Sequence, residues 1–235
     1  LHIDRFNAEP LQIEAAAAVV RRGGIVLYPT DTVYGLGCSG LKADALARLF
    51  ELKKRPPDRG VLLLIPELDW VERCARSVPA DFFPLAEALW PGPVTFLLPA
   101  SPRLPDLISG GAGKVGLRQP ELPYLRSWLE AIGEPLVSTS ANISGKPKPQ
   151  SVEELTTLFW GRVDLFVETA EIGEAQASTV VDLCNEPAQI VREGQLAEKV
   201  RSLLRVEWSN WDGRRRISLR GLSVRRSHVR PFCAL

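Results

Sequence analysis

Apolar and polar positions fall in short blocks whose period switches repeatedly between that of a helix and that of a strand. Leu11 to Arg22 is alanine-rich with an apolar stripe and stops at Gly23-Gly24, which predicts a helix with a C-terminal breaker. Residues 25–29 (IVLYP) read as a short buried strand, and 30–40 (TDTVYGLGCSG) as a polar turn. A second helix is expected from about Asp44 to Lys54, with Leu46, Leu49, Phe50 and Lys53 at helical spacing and Pro56-Pro57 ending it. The wholly apolar run 61–65 (VLLLI) predicts a strand, and helical patterns follow around 69–76 and 81–89. Further strands are expected at 94–99 (VTFLLP), 114–120 (KVGLRQP) and 135–141 (PLVSTSA), with a helix from Tyr124 to Ile132, closed by Gly133, between the last two. Ser151 with Glu154 forms a capping-box start for a helix to about Trp160. Strands at 163–168, 178–183 and 189–193 and a helix beginning near Gln195 complete the pattern.

Strands and helices interleave, so the fold class is α/β, with one continuous core over residues 1–200. The spacing is too irregular for a regular doubly wound sheet, and no internal repeat is present. From about Val206 the apolar period is lost. Residues 201–235 are therefore expected to be a basic, Arg-rich and poorly ordered extension in preference to a second small domain.

Composition sharpens this picture by exclusion. Of 235 residues, 45% are hydrophobic and 24% charged, the balance of an ordinary globular protein. The net charge of +1 hides an asymmetry: residues 201–235 hold nine Arg and two acids, a net of +7, which leaves residues 1–200 at −6. The only histidines are His2 and His228, which argues against a Ser-His-Asp hydrolase or a His-based zinc site in the body of the chain. Cys38, Cys74, Cys184 and Cys233 form no CxxC pair and read as small core or surface residues, consistent with a reducing compartment. No apolar run reaches the length of a membrane span, and Asp4, Glu9 and Glu14 do not suit a signal peptide. A cytoplasmic location without membrane contact is expected.

Four polar segments abut strand ends, where α/β proteins place ligands. Residues 29–37 (PTDTVYGLG) offer Thr30, Asp31 and Thr32 beside glycines, and taken alone also suit a plain turn. Lys53, Lys54, Arg55 and Arg59 crowd a helix end, suiting either a polyphosphate or the helix dipole. Ser138, Thr139, Ser140, Asn142 and Ser144 supply short donors and acceptors at a strand exit, or simply a polar loop. Lys114 and Arg118 share one face of a strand, with Ser178 and Arg192 on later strands. GGAGKVG (110–116) lacks the glycine spacing of a P-loop, and no GxGxxG occurs.

In this order, PTDTVYGLG (29–37), LKKRP (52–56), WPGPVTFLLP (90–99), VGLRQP (115–120), STSANISG (138–145), STVVD (178–182) and VREG (191–194) resemble the YrdC/TsaC family of threonylcarbamoyl-AMP synthases over about residues 10–195. The resemblance implies a single YrdC-like domain with a twisted mixed sheet and helices around a concave basic cavity. It implies condensation of L-threonine, bicarbonate or CO2, and ATP to L-threonylcarbamoyladenylate with release of pyrophosphate, Mg2+ accompanying the ATP and no tightly bound protein metal site. A partner complex would transfer the threonylcarbamoyl group to adenosine 37 of tRNA, and contact with tRNA itself is a further expectation.

Carried over by position, Lys53 and Arg55 fill the K-x-R pair and Ser140 and Asn142 the S-x-N pair, the expected catalytic set. Arg59, Lys114, Lys148 and Arg192 join them as expected ATP contacts, and Thr32, Arg118, Ser138 and Ser178 are expected to hold threonine. Where many relatives carry a proline before the strand after K-x-R-P, this chain reads Arg59-Gly60-Val61, as in the shorter bacterial branch. Two alternatives remain: a YciO-like paralogue with little synthase activity, and an RNA-binding module using the basic tail.

Overall fold

The predicted strands are too short to bury themselves, and they assemble into one sheet. In the computed structural model, which describes residues 9–167 and 176–206, the chain runs α1 (Pro10–Arg21), β1 (Val26–Tyr28), β2 (Gly35–Gly37), α2 (Ala43–Lys53), β3 (Leu62–Leu64), α3 (Val71–Cys74), α4 (Phe82–Leu89), β4 (Val94–Pro99) and α5 (Asp106–Ser109). It continues through β5 (Lys114–Arg118), α6 (Pro123–Ile132), β6 (Leu136–Ser140), α7 (Val152–Phe159), β7 (Leu165–Phe166), β8 (Thr179–Asp182), β9 (Gln189–Arg192) and α8 (Ala197–Leu203). Among the described residues the sheet has nine strands in the order β7-β1-β2-β6-β3-β5-β4-β8-β9. The β1–β7, β3–β5 and β4–β8 pairs are parallel and the others antiparallel, so the sheet is mixed.

Alternation along each strand gives the sheet two unlike faces. Leu27, Leu36, Leu63, Phe96, Leu117, Val137 and Val181 point into the larger core, where Leu46 and Leu49 of α2, Phe82 and Leu85 of α4, and Leu155 and Phe159 of α7 cover them. The opposite face is covered by helices only at one end. There Val26, Tyr28, Leu64 and Leu136 pack beneath α1 and α6, with Tyr28 and Trp128 edge to face at 5.2 Å. The rest of that face, from Ser138 and Ser140 across Gly116 and Arg118 to Thr95 and Arg192, mixes small and polar residues with Leu62, Leu97 and Val180 and is left open by the helices. That uncovered portion is the floor of a cavity.

The main departures from the sequence reading have local causes. Gly35–Gly37 falls inside the expected turn yet pairs with β1 and β6, because glycine adds no hydropathy but lets strands approach. A Cβ at Gly37 would lie 2.3 Å from the Val137 carbonyl oxygen and 3.0 Å from the Tyr28 ring. The helical pattern around 69–76 becomes a 3-10 turn, Leu68–Trp70, followed by the single turn α3. Of the expected 163–168 strand, Leu165–Phe166 alone pairs among the described residues, and α5 is too short to leave a periodic signal. The capping box holds in part: Ser151 Oγ accepts from Glu154 N at 3.2 Å, while the Glu154 carboxylate takes the Gln150 N–H at 2.9 Å. The tail beyond residue 206, with Cys233 and its Arg cluster, lies outside the described residues.

Helix α2 ends in a way that sets up the site. Lys54 is left-handed, with φ 50°, its N–H donating to Glu51 O at 3.0 Å and the Arg55 N–H donating to Phe50 O at 2.8 Å. This is a Schellman closure with lysine where glycine is usual. The reversal sends Lys53 into the protein and Arg55 towards the cavity. A left-handed non-glycine residue costs about 1–2 kcal/mol, partly offset by the larger unfolded-state entropy of glycine. Lys54→Gly is expected to stabilise the protein by about 1 kcal/mol, read as a rise in Tm of roughly 2–4 °C in thermal unfolding.

Candidate active site

The cavity occupies about 410 Å3 above the open half of the sheet. Five of its lining side chains are cations, Arg55, Lys114, Arg118, Lys148 and Arg192, and none of its lining residues is acidic. Hydroxyl groups of Thr30, Thr32, Thr95, Ser138, Ser140 and Ser178 share the lining.

Arg118 is the most confined of the cations, only 3% exposed on the central strand β5. Its Nη2 forms an ion pair with Asp31 Oδ2 at 2.5 Å, Nη1 donates to Thr32 Oγ1 at 3.0 Å, and Nε donates to Gly92 O at 3.0 Å. Burial pulls its pKa below the ordinary arginine value against the opposing pull of Asp31, yet arginine stays charged. Thr30 folds the turn after β1: its hydroxyl donates to Val33 O at 2.6 Å and accepts the Thr32 and Val33 N–H groups, each at 3.1 Å. The turn that reads as ordinary in the sequence thus aims Thr32 and Asp31 at one guanidinium. Ser138, 8% exposed, lies nearby on β6.

Across the sheet Lys114 pairs with Asp182 Oδ2 at 2.7 Å, and that hydrogen bond lifts its pKa. Asp182 is itself held below its usual range: burial pushes the other way and is outweighed by Lys114 and the Cys184 N–H. Arg192 has no carboxylate partner among the described ion pairs. It donates through Nε and Nη2 to the Ser178 carbonyl, at 3.2 and 3.0 Å, and through Nη2 to Ser178 Oγ at 2.9 Å. Its pKa is lowered, first by burial and then by Arg118.

The K-x-R and S-x-N segments are joined physically. The Lys53 ammonium, in a residue 1% exposed, donates to the carbonyls of Ser140 and Asn142, the latter at 2.7 Å. Ser144 N returns a bond to Lys53 O at 2.9 Å. Ser140 Oγ donates to Asn142 Oδ1 at 2.6 Å, and Asn142 Nδ2 donates to the carbonyls of Ile143, at 3.1 Å, and Lys146, at 2.7 Å. Arg55 instead grips its own loop, donating to Arg59 O at 2.8 Å and to Gly60 O. Burial brings Lys53 down to about 7, with the Arg55 charge adding to the effect.

Of the residues singled out in the sequence, Thr32, Arg55, Lys114, Arg118, Ser138, Ser140, Lys148, Ser178 and Arg192 line the cavity together. Lys53, Arg59 and Asn142 are not among the lining residues. Lys53 and Asn142 hold the loop behind the wall, and Arg59 is exposed at the rim. Sequence reasoning passed over Thr95, which lines the cavity from within a run that reads as buried strand, and the short α5 residues Ile108 and Ser109. A hydroxyl in the otherwise apolar VTFLLP was the available signal for Thr95.

With this geometry in hand, comparison with known proteins places the chain. The family model Sua5_yciO_yrdC, described as "Telomere recombination", matches residues 18–194. A threonylcarbamoyl-AMP synthase of Pyrococcus abyssi is 36% identical over 192 residues, covering 82% of this chain and 56% of that protein. One from Halorhodospira halophila is 42% identical over 161 residues, 68% of this chain and 84% of its own length. The crystal structure of P. abyssi Sua5 complexed with L-threonine superposes with a TM-score of 0.82 at 35% identity, over 86% of this chain and 60% of that one. Escherichia coli YciO superposes at 0.75 and 30% identity, over 83% of this chain and 96% of YciO. This chain therefore spans only a little over half of the archaeal protein but 84% and 96% of the two shorter ones. A match over most of its length, on a mixed sheet with the same outline, makes it a member of the Sua5/YciO/YrdC family.

Proposed function

We propose that this protein condenses L-threonine, bicarbonate or CO2, and ATP into L-threonylcarbamoyladenylate and pyrophosphate. The observation that carries the reading is the lining itself: cations and hydroxyls converge on one cavity with no carboxylate among them. Such a site favours polyanions and carboxylates, and the reaction brings several together. The threonine amine adds to CO2, losing a proton and forming the N–C bond of a carbamate. A carbamate oxygen then attacks the α-phosphorus of ATP as the bond to the β-phosphate oxygen breaks and pyrophosphate leaves. Nothing in this sequence needs a His or Cys nucleophile. It needs two anions held in line while negative charge moves onto the leaving group, which fixed cations supply.

Arg118, pre-set by Asp31, Thr32 and Gly92, is the partner proposed for the threonine carboxylate, with Ser138 and Ser178 beside it. Arg55, Lys114, Lys148, Arg192 and Ser140 face the nucleotide, while Arg59 stays exposed outside the lining. Lys53 and Asn142 fix the loop that carries Ser140. The oxygen ligands in the cavity are hydroxyls, and among the described residues no group of three or more His, Cys, Asp or Glu could hold a metal. These residues do not fit a protein-held ion, so Mg2+ is proposed to travel with the triphosphate. A tRNA-directed transferase would consume the mixed anhydride. No helix among the described residues is long and apolar enough to cross a membrane, and we propose a cytoplasmic setting for this step.

Pyrophosphate release is the direct test, run with all substrates and then omitting threonine or bicarbonate in turn. Release that needs both is expected. Saturable ATP binding without threonine-dependent release would favour the YciO-like alternative, and salt-sensitive RNA binding without nucleotide binding would favour the RNA module. A charge-assisted contact is worth about 1.5–3 kcal/mol, so Arg55→Ala is expected to slow turnover roughly 10- to 100-fold. Turnover close to wild type would remove Arg55 from the nucleotide site.

The Lys53 latch generates a stability prediction of definite sign. A neutral amine still has two N–H groups for its two carbonyl acceptors, so the folded protein sheds this proton near pH 7 while the unfolded chain keeps it to about 10.4. Between those values the unfolded state binds more protons, and stability contributed at this position rises with pH. Urea unfolding of wild type and Lys53→Met at pH 6.5, 8 and 9.5 is expected to show a difference that shifts in favour of wild type as pH rises. A difference independent of pH would reject the depressed pKa.

A further inference from the structure

The cavity lining holds no acidic residue, yet one carboxylate stands directly behind it. Asp182, on β8 and 6% exposed, takes the Lys114 ammonium on Oδ2 at 2.7 Å. Two further donors fix the same carboxylate: the Cys184 N–H reaches Oδ1 at 2.9 Å, and Asn185 Nδ2 reaches Oδ2 at 3.2 Å. A negative charge beside a site for polyanions works against them by Coulomb repulsion. Three donors nevertheless make this buried carboxylate a fixed anchor, and of the three residues only Lys114 lines the cavity.

The sheet shows what the anchor does. Lys114 begins β5 opposite Pro99 of β4, and Asp182 lies on β8 opposite Leu97 of β4. The two strands are not neighbours, because β4 runs between them. Two strand spacings and an offset of two residues separate the backbones by roughly 12 Å. The ammonium closes that gap because the lysine stem is laid across β4, at the level of Leu97 and Pro99, on the face that forms the cavity floor. Without the carboxylate, a lysine at the end of a strand would extend its charge into water, as its flexible stem allows. An ammonium has three N–H groups. Asp182 takes one, and among the described residues no acceptor is present for the other two, which are offered to the cavity. Arg118 shares this face of β5 but lies four residues on, about 13 Å along the strand. The pinned charge therefore serves a different part of the cavity.

We infer that Asp182 is a positioning residue for the nucleotide: it pins the Lys114 ammonium over the cavity floor, so that ATP does not have to gather a mobile side chain as it binds. This rests on the ATP-dependent reaction proposed above. Immobilising a rotamer-rich side chain on binding lowers affinity, and a chain already held avoids that loss. The anchor's charge and its geometry therefore push in opposite directions. By charge alone, neutralising Asp182 tightens ATP; by geometry, it loosens ATP.

The sign of one effect decides between them. KM values for ATP and threonine are measured by pyrophosphate release in wild type, Asp182→Asn, Lys114→Met and the double variant, with thermal unfolding alongside. Asparagine keeps the size of the side chain and an acceptor for the Cys184 N–H but carries no charge. Its KM for ATP is expected to rise about 3- to 10-fold, the effect of freeing one long side chain, with the KM for threonine within about twofold of wild type. Lys114→Met keeps an unbranched stem and is expected to raise the KM for ATP roughly tenfold or more, the worth of a charge-assisted contact. In the double variant the KM for ATP is expected to equal that of Lys114→Met or fall below it, since no ammonium is left to place. A lower or unchanged KM for ATP in Asp182→Asn would overturn the inference and leave the carboxylate a plain counter-ion. So would an unchanged KM in Lys114→Met, a variant that stays informative even where Asp182→Asn does not fold. Equal rises for ATP and threonine, or a loss that Asp182→Asn adds in full to that of Lys114→Met, would mark a general structural role and overturn it too. Absence of pyrophosphate release by wild type would instead remove the synthase reading beneath it, a result visible before any variant is made.

Discussion

A guanidinium lodged in the middle of a sheet is the constraint on which the rest of this structure turns. Arg118 sits on a central strand, 3% exposed, where an unmet charge would be ruinous: stripping one partner from a buried ion pair costs about 3–5 kcal/mol. The chain answers from two separate turns. The turn after β1 brings Asp31 and Thr32, and the turn before β4 brings the Gly92 carbonyl, while the Gly92 N–H returns to Gln119 O at 2.9 Å. These contacts fix the edges of the cavity as a by-product of satisfying one buried cation. The site is in this sense the region of the sheet where charge is tolerated because the surrounding turns were recruited to it.

A second buried cation works differently. Lys53 has carbonyls for partners and no carboxylate, and it ties the end of α2 to the exit of β6. The two cationic devices divide the labour: Arg118 organises the floor, and Lys53 organises the loop that overhangs it. The left-handed Lys54 separates Lys53, turned inward, from Arg55, turned toward the cavity. Two basic residues two positions apart thereby serve different compartments of the same fold.

Much of this was legible in the sequence where hydropathy carried the signal. The apolar runs around residues 61–65, 94–99 and 135–141 and the alternation at Lys114, Gly116 and Arg118 all became strands of the main sheet, with the two cations on the cavity face. Lys53 even stood in the apolar stripe of its helix, a hint of burial that its charge tends to mask. What stayed hidden lacked a hydropathic signature. Gly35–Gly37 is a strand by virtue of close approach, and Thr95 is a cavity-lining hydroxyl within an apolar strand. The convergence of distant turns on Arg118 depends on strand order, β6 and β5 flanking β3 and β5 meeting β4, which no local pattern encodes.

The cavity has the hydrogen-bonded ladder itself for a floor, and this bears on how the molecule can change over evolutionary or engineered time. Strands β3, β5 and β4 are held on both sides, so residues of the floor are bound at once to ligand geometry and to the integrity of the sheet. The rims are not: the loops at 55–60 and 141–148, and the single turn α5 with the turn that follows it to residue 113, touch the cavity at a few individual residues. Altered substrate range is therefore most accessible from the rim, where a substitution perturbs one contact. A change of chemistry at the base would require the sheet and the cavity floor to be redesigned together.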